Sequence, residues 1–248
     1  MRAAAAVVAQ TRADGATSLP VLRSEAPLVL RRTAGAVYLV GGAAGPIGGD
    51  LLSLRIEVGA GALLRLRTSA AAVALPGPGG GESVLSVTAS VASGGRLEFL
   101  PEATVAAAGA RHRVEMRLCL EAGAALVLRD ELLLGRYGER GGSCRTRLRV
   151  DLDGAPLLRH ELAVCGEDET SLGPAVLSGH RAAGSLLRVG PGAVPVTTDR
   201  DAADLADCHS RCVAVMPLAG PAVLVTALAH DAITLRERLT VSYRGGVG

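Results

Sequence analysis

The chain has 248 residues, of which 49% are hydrophobic and 20% charged, and its formal net charge is +2. It contains no lysine, which excludes a lysine-bearing phosphate loop and a Schiff-base nucleophile. Arginine and acidic residues are interspersed without a basic run, and only 2% of the residues are aromatic, so nucleic acid is not expected as a partner.

The predicted elements are mostly strands. The first forty residues are expected to form a hairpin in which AAAAVVAQ pairs with PLVLRR around Asp14 and Gly15. Leu51 to Val58 alternates apolar and polar residues, as a half-buried strand does, and LLRLRTS repeats this alternation after a GAGA turn. Two further strand pairs follow, VLSVTASV with RLEFL and VEMRLCL with ALVLRDELLL.

The turns inside these strand pairs recur at intervals of about 30 residues. They fall at Gly61, Gly94 and Gly123, and a looser fourth copy turns at Asp153 and Gly154, a pair that favours a hairpin. Such a recurrence is typical of stacked units, each of which buries its face against the next. We therefore predict a mainly β fold, a β-helix-like or flattened solenoid of stacked β units with one or two short helices near the C-terminus.

The pattern divides the chain into a β-repeat body at 1–165 and a looser part at 166–248, which together are predicted to form one domain. In the second part, Thr198 is a candidate helix N-cap, and Ala232 to Leu239 is predicted to be helical. No apolar stretch reaches the ~18 residues of a spanning helix, and no signal peptide is apparent. We expect a cytoplasmic protein without a membrane segment.

One local cluster has metal-binding residue types, namely Cys208, His209 and Cys212. No second pair follows it, so a closed four-ligand site would need distant residues, and we favour ordinary thiols on a partly buried helix face. No nucleophile elbow or other catalytic set is present, and we expect the protein not to be an enzyme.

Acidic residues beside the tight turns are the remaining candidates for chemistry. Glu98 and Glu102 follow their turn at offsets similar to those of Asp130 and Glu131. In stacked β units, matching offsets place side chains in one column, and a column of carboxylates can pass a hard or borderline cation without holding it tightly. We predict that Glu98, Asp130 and Glu139 face one polar lane.

Several fragments, taken in order, resemble the urease accessory protein D (UreD) family. RSEAPLVLRR is similar to that family's R-x-E-x-P-L segment, GGAAGPIGGD to its G-G-x-x-x-G-D strand, and LEFLPE to L-E-x-L-P. LRDELLLGRYGERGG is similar to a stretch that ends in G-R-x-x-x-G-E, and DGAPLL to a later turn. The fragments run from about residue 20 to 160.

The resemblance implies a β-helix-like fold and a non-enzymatic scaffold that joins the F and G accessory components and docks on apo-urease. The G component is a GTPase. The resemblance also implies that nickel passes through the scaffold in transit, with no tightly bound cofactor. The candidate residues for this passage or for partner contacts are Asp50, Glu98, Glu102, Asp130, Arg136 and Glu139.

Two other functions stay open at this point. The first is a structural all-β interaction module that is unrelated to nickel. The second is a carbohydrate-active β-solenoid, in which Glu98 and Glu102 are the paired carboxylates. The absence of tryptophan and of a secretion signal argues against this second alternative.

Overall fold

The structure, a computed structural model, describes residues 1–191, 193 and 212–241. Within these ranges the chain is mainly β, as predicted, with two short helices. The strands are β1 (Arg2–Thr11), β2 (Thr17–Arg23), β3 (Leu28–Arg32), β4 (Val37–Gly41), β5 (Leu51–Val58), β6 (Leu63–Thr68), β7 (Ala72–Ala74), β8 (Ser83–Val91), β9 (Arg96–Leu100), β10 (Thr104–Ala106), β11 (Arg111–Leu120), β12 (Ala125–Leu134), β13 (Ser143–Leu152), β14 (Ala155–Cys165), β15 (Ala182–Val189), β16 (Val213–Pro217) and β17 (Ala222–Ala229). The helices are α1 (Glu169–Leu172) and α2 (Ala232–Val241).

The strands form two sheets that enclose a hydrophobic interior. The first sheet has the order β14-β13-β11-β8-β5-β1-β2, and its strands from β13 to β1 are parallel. The second has the order β16-β17-β15-β12-β9-β6-β4-β3, in which β12, β9, β6 and β4 are parallel. Because β5, β8 and β11 are each followed by a strand of the second sheet, the chain winds as a β-solenoid of about 4 turns.

The glycine turns stack on one another, as the sequence repeat predicts. Gly61, Gly94 and Gly123 have φ values of 67°, 69° and 80°, a region that glycine adopts without steric cost. The amide of Gly94 donates to the carbonyl of Gly123 at 3.2 Å, so adjacent turns are hydrogen-bonded to each other. The fourth turn, at Asp153 and Gly154, joins the antiparallel strands β13 and β14.

The interior is filled largely by every second residue of the parallel strands of the first sheet. In β5, Leu52, Leu54 and Ile56 are at most 5% exposed, whereas Leu51 and Ser53 face solvent. A slip of one residue would move this apolar row to the outside, so burial of the row fixes the register between coils.

Two sequence predictions need correction. The first strand does turn at Asp14 and Gly15, but it pairs with β2, and PLVLRR instead contributes β3, which pairs with β4. The segment of β2 contains Pro20, which is tolerated because β2 lies at the edge of its sheet. The part after residue 165 is more regular than expected, since β15, β17 and β16 extend the second sheet.

The predicted C-terminal helix is confirmed as α2, and the helix predicted from Thr198 lies outside the described residues. The carboxylate of Asp231 accepts a hydrogen bond from the amide of Thr234 at 2.8 Å and so caps the start of α2. Leu235 and Leu239 are buried against the outer face of the second sheet.

Helix α2 reaches the sheet closely because β15 carries a glycine beneath it. A Cβ atom on Gly184 would lie 3.1 Å from Leu235 Cδ2 and from Leu239 Cδ1. The missing side chain therefore permits direct contact between the helix and the strand.

We expect Gly184→Val to displace α2 and to lower the free energy of unfolding by about 1–3 kcal/mol, because the added methyl groups overpack this contact. Chemical unfolding of the purified chain measures the change. Gly35→Val is the matched control, since a Cβ atom there meets no atom within 4 Å. Equal stability of the two variants would contradict the packing argument.

Candidate functional site

A row of polar side chains crosses the interior face of the first sheet. Ser83, His112 and Cys144 are paired in the register of β8, β11 and β13. Asp50 lies at the same level, because the next residue, Leu51, begins β5 and pairs with Val84. These four polar side chains come from successive coils, point inward and are at most 3% exposed.

His112 is held in one orientation by Ser83. The imidazole Nδ1 lies 2.9 Å from Ser83 Oγ, and this hydroxyl donates in turn to the carbonyl of Arg111 at 3.3 Å. Burial lowers the pKa of His112 to about 4, so the ring is neutral at physiological pH. Burial likewise raises the pKa of Cys144 to about 12.

Asp130 faces this row from the second sheet. It lies between Leu128 and Leu132 on the inward face of β12, and its carboxylate accepts a hydrogen bond from Thr146. Burial raises the pKa of Asp130 to about 6, and the neighbouring charge of Glu131 adds to this effect. In the part of the chain that the structure describes, no basic side chain pairs with Asp130.

Two cavities meet at Asp130. The first, which we call the solenoid cavity, has a volume of about 280 Å³ and lies between the sheets. The second, the C-terminal cavity, has a volume of about 290 Å³ and lies beside β15, β16 and β17. Residues that line the solenoid cavity include Leu54, Phe99, Glu102, His112 and Asp130. Residues that line the C-terminal cavity include Asp130, Thr146, His160, Ser185 and Cys212.

The wall of the C-terminal cavity carries a thiol beside an imidazole. Cys212 Sγ lies 3.5 Å from Nε2 of His180, whose Nδ1 is 2.9 Å from the carbonyl of Leu177. The ring of His230 stacks on that of His180, with centroids 4.5 Å apart. Among the residues described, no group of three or more His, Cys, Asp or Glu side chains is arranged to hold a metal ion. The other two members of the predicted cluster, residues 208 and 209, lie outside the described ranges.

The predicted alignment of acidic residues is formed in part, where Glu102, in the loop after β9, meets Glu131 on the outer face of β12. Glu102 and Glu131 share two arginines: Arg236 Nη2 lies 2.9 Å from Glu102 Oε2 and 2.6 Å from Glu131 Oε2. Arg129 approaches both carboxylates at 3.4 Å. The side chain of Glu131 is fully buried, so Arg236 neutralises a charge that lies beneath α2.

Glu98, Asp130 and Glu139 do not share one lane, contrary to the prediction. Glu98 lies on the outer face of β9, where Arg67 Nη2 is 3.0 Å from its carboxylate, whereas Asp130 points inward. Glu139 belongs to the loop after β12 and binds Arg136 at 2.8 Å. The register pairs Glu98 with Val127, three residues before Asp130, and an odd separation in a strand places side chains on opposite faces.

Four functional candidates were missed by sequence reasoning: Glu131 as an ion-paired group, His112, Cys144 and Arg236. His112 and Cys144 continue the inward positions of β11 and β13, so the alternation of their strands carried a usable signal. The contact between Arg236 and Glu131 joins residues 105 positions apart and has no local signal.

A family model described as UreD urease accessory protein matches residues 1–243. The chain belongs to the UreD family. A UreD from Parafrankia sp. is 46% identical over 96% of this chain and 86% of that relative. The corresponding values are 45%, 97% and 91% for a UreD from Frankia alni, and 44%, 96% and 95% for one from Streptomyces avermitilis.

Membership in the family supports a role as an accessory factor in urease maturation. No helix in the described part of the chain is long and apolar enough to cross a membrane.

Asp130→Asn is expected to change the pH dependence of stability. The raised pKa, about 6 against ~3.9 in an unfolded chain, means that the folded protein holds a proton that the unfolded chain releases. The stabilisation that this bound proton contributes is complete below about pH 4 and is lost as the pH rises through about 6. The variant should match the wild type at pH 4 and exceed it by about 1–3 kcal/mol at pH 7.5.

Urea unfolding at the two pH values measures this difference. The titration of His112 is common to both proteins and therefore cancels in the comparison. The same stability difference at both pH values would contradict the raised pKa of Asp130.

Arg236→Ala is expected to lower the free energy of unfolding by about 2–4 kcal/mol, because it leaves the buried carboxylate of Glu131 beside Glu102 with only Arg129. Arg145→Ala is the control, since its partner Glu161 is exposed and the pair should contribute little. The argument fails if the two substitutions have equal effects.

Proposed function

We propose that the chain is a non-enzymatic scaffold of urease maturation in the cytoplasm. In this role it joins the F component, the G component and apo-urease, and nickel passes through its interior on the way to the urease active site. The observation that supports this passage is the position of Asp130. Its side chain points inward, lines both cavities and has no basic partner among the described residues.

The donor atoms along this route suit a borderline divalent cation. Ni²⁺ accepts imidazole nitrogen and carboxylate oxygen as ligands, and His112 and Asp130 both line the solenoid cavity. Beyond Asp130, the C-terminal cavity adds His160 and the thiol of Cys212. These donors are spread along the cavities and form no closed set within the described ranges, which favours passage over tight retention.

The ionisation of Asp130 fits the same role. With a pKa of about 6, the carboxyl is mostly ionised at neutral pH, and its charge has no basic partner among the described residues. An approaching cation stabilises this ionised form and displaces the remaining bound proton. The cation therefore supplies a countercharge that the described part of the fold does not provide.

The carboxylates that already have arginine partners have a different role in this proposal. Glu98 pairs with Arg67 within the second sheet, whereas Glu102 and Glu131 pair with Arg236 and so hold α2 on that sheet. Glu102 also lines the solenoid cavity, but Arg236 neutralises its charge there. This ion pairing does not favour the carbohydrate-active alternative, which needs one carboxylic acid and one free carboxylate facing a sugar.

Asp130→Asn should lower the nickel content and the activity of urease several-fold when the variant is co-expressed with the urease subunits and the F and G components. The amide keeps the shape of the carboxylate but removes the charge that attracts the cation. Metal analysis of the purified urease measures nickel per active site, and co-purification shows whether the assembly still forms.

Glu98→Gln provides the matched control, because it removes a carboxylate from the outer face of the neighbouring strand. It should leave nickel loading close to that of the wild type. Full nickel loading of urease with Asp130→Asn in an intact assembly would refute passage along Asp130. Nickel loading that does not require the chain at all would favour an interaction module unrelated to nickel.

A further inference from the structure

The loop between β12 and β13, residues 135–142, holds an aromatic side chain away from the rest of the protein. We call this segment the tip loop. Its Tyr137 is fully exposed, whereas the single phenylalanine of the chain, Phe99, is buried. The ring of Tyr137 therefore contributes no burial to the fold.

The tip loop is nevertheless tightly fixed at its base. The guanidinium of Arg181 donates to the carbonyl of Leu134 at 2.7 Å and lies 3.0 Å from the carbonyl of Arg136 and 2.7 Å from that of Glu139. A single side chain thus binds three carbonyls on both sides of Tyr137. These charge-assisted hydrogen bonds restrict the backbone that carries the ring.

Further contacts close the loop from within. The amides of Gly135 and Gly142 both donate to the carbonyl of Ala106, at 2.8 and 3.0 Å. The carboxylate of Glu139 accepts from the amide of Ala108 at 2.9 Å and from the side chain of Arg136 at 2.9 Å. A Cβ atom on Gly142 would lie 2.3 Å from the carbonyl oxygen of Ala107, so the backbone at the base of the loop is closely packed.

This combination of a fixed backbone and an unburied ring has a consequence for binding. A loop that is ordered before it meets a partner loses little conformational entropy on binding. Tyrosine is enriched among the residues that dominate protein interfaces, because it supplies a large apolar surface with few rotatable bonds. The tip loop meets both conditions.

The charges around the ring indicate the chemistry of the partner. Arg136 and Arg140 flank Tyr137 and are exposed, while the carboxylate of Glu139 is engaged inside the loop. Among the described residues, the side chain of Arg140 forms no ion pair. A complementary surface would offer an apolar pocket for the ring and carboxylates at its rim.

We propose that Tyr137 is the anchor of a protein–protein interface, inserted into an apolar pocket with an acidic rim on a partner in the urease maturation assembly. Arg140 faces this rim, and Arg181 and Glu139 are positioning residues that hold the loop in its binding conformation. The inference rests on the proposed function, which is the reason for placing the partner in that assembly.

The test compares variants of the full chain for binding to the purified F component and to apo-urease, each measured separately. Tyr137→Ala should weaken binding to one of the two at least about tenfold, because truncation removes the anchor. Tyr137→Phe keeps the ring and should stay within about threefold of the wild type. Ile233→Ala, which truncates an exposed apolar side chain on α2, is the matched control and should bind like the wild type.

The positioning role has its own measurement. Arg181→Ala should weaken binding to the same partner and raise amide hydrogen exchange of the tip loop, whereas Tyr137→Ala should weaken binding with the exchange unchanged. Arg181→Ala that raises exchange but leaves affinity unaltered would overturn the positioning role.

The outcomes separate the anchor from the proposed function. If the wild type binds and Tyr137→Ala binds both proteins as tightly as the wild type does, the anchor is wrong and the scaffold role stands. If the wild type binds neither protein, the scaffold role itself fails. If Tyr137→Ala abolishes binding of single-stranded RNA and leaves both protein affinities unchanged, the loop recognises nucleic acid and the proposal is overturned.

Discussion

The uninterrupted register between successive parallel coils is the constraint on which the rest of the structure depends. The pairings from β5 through β8 and β11 to β13 run without a bulge, so one residue of each coil lies at the same level as one of the next. This is why Asp50, Ser83, His112 and Cys144, which are far apart in sequence, form one row. A shift of a single residue would turn the row outward and expose the apolar positions beside it.

An apolar solenoid tolerates this row because most of its members are neutral or hydrogen-bonded. His112 is uncharged and bound to Ser83, and Cys144 keeps its proton. Asp130, which faces the row from the second sheet, is different, because its raised pKa means that ionisation at neutral pH opposes folding. Under the proposed function, this cost to stability is retained because the carboxylate attracts the cation that passes the site.

The two faces of the second sheet have separate functions. The inward face of β12 presents Asp130 to the cavities, whereas the outward face presents Glu131 to Arg236 and so fastens α2. Adjacent residues can serve such different purposes because side chains alternate across a strand. At the end of β12 the chain leaves the sheet, and Arg181 fixes the loop that carries Tyr137.

The sequence by itself determined the mainly β fold, the stacked turns at Gly61, Gly94 and Gly123, the hairpin at Asp153 and the C-terminal helix. Each of these follows from local alternation, turn chemistry or a short period, which physical rules relate directly to backbone geometry. The resemblance to the UreD family was also readable from ordered fragments. Only the tertiary structure decided which acidic residues face the interior, which strand pairs with β1, and which arginines neutralise which carboxylates. Those outcomes depend on contacts between residues tens of positions apart, and no local pattern encodes the partner of a side chain across that distance.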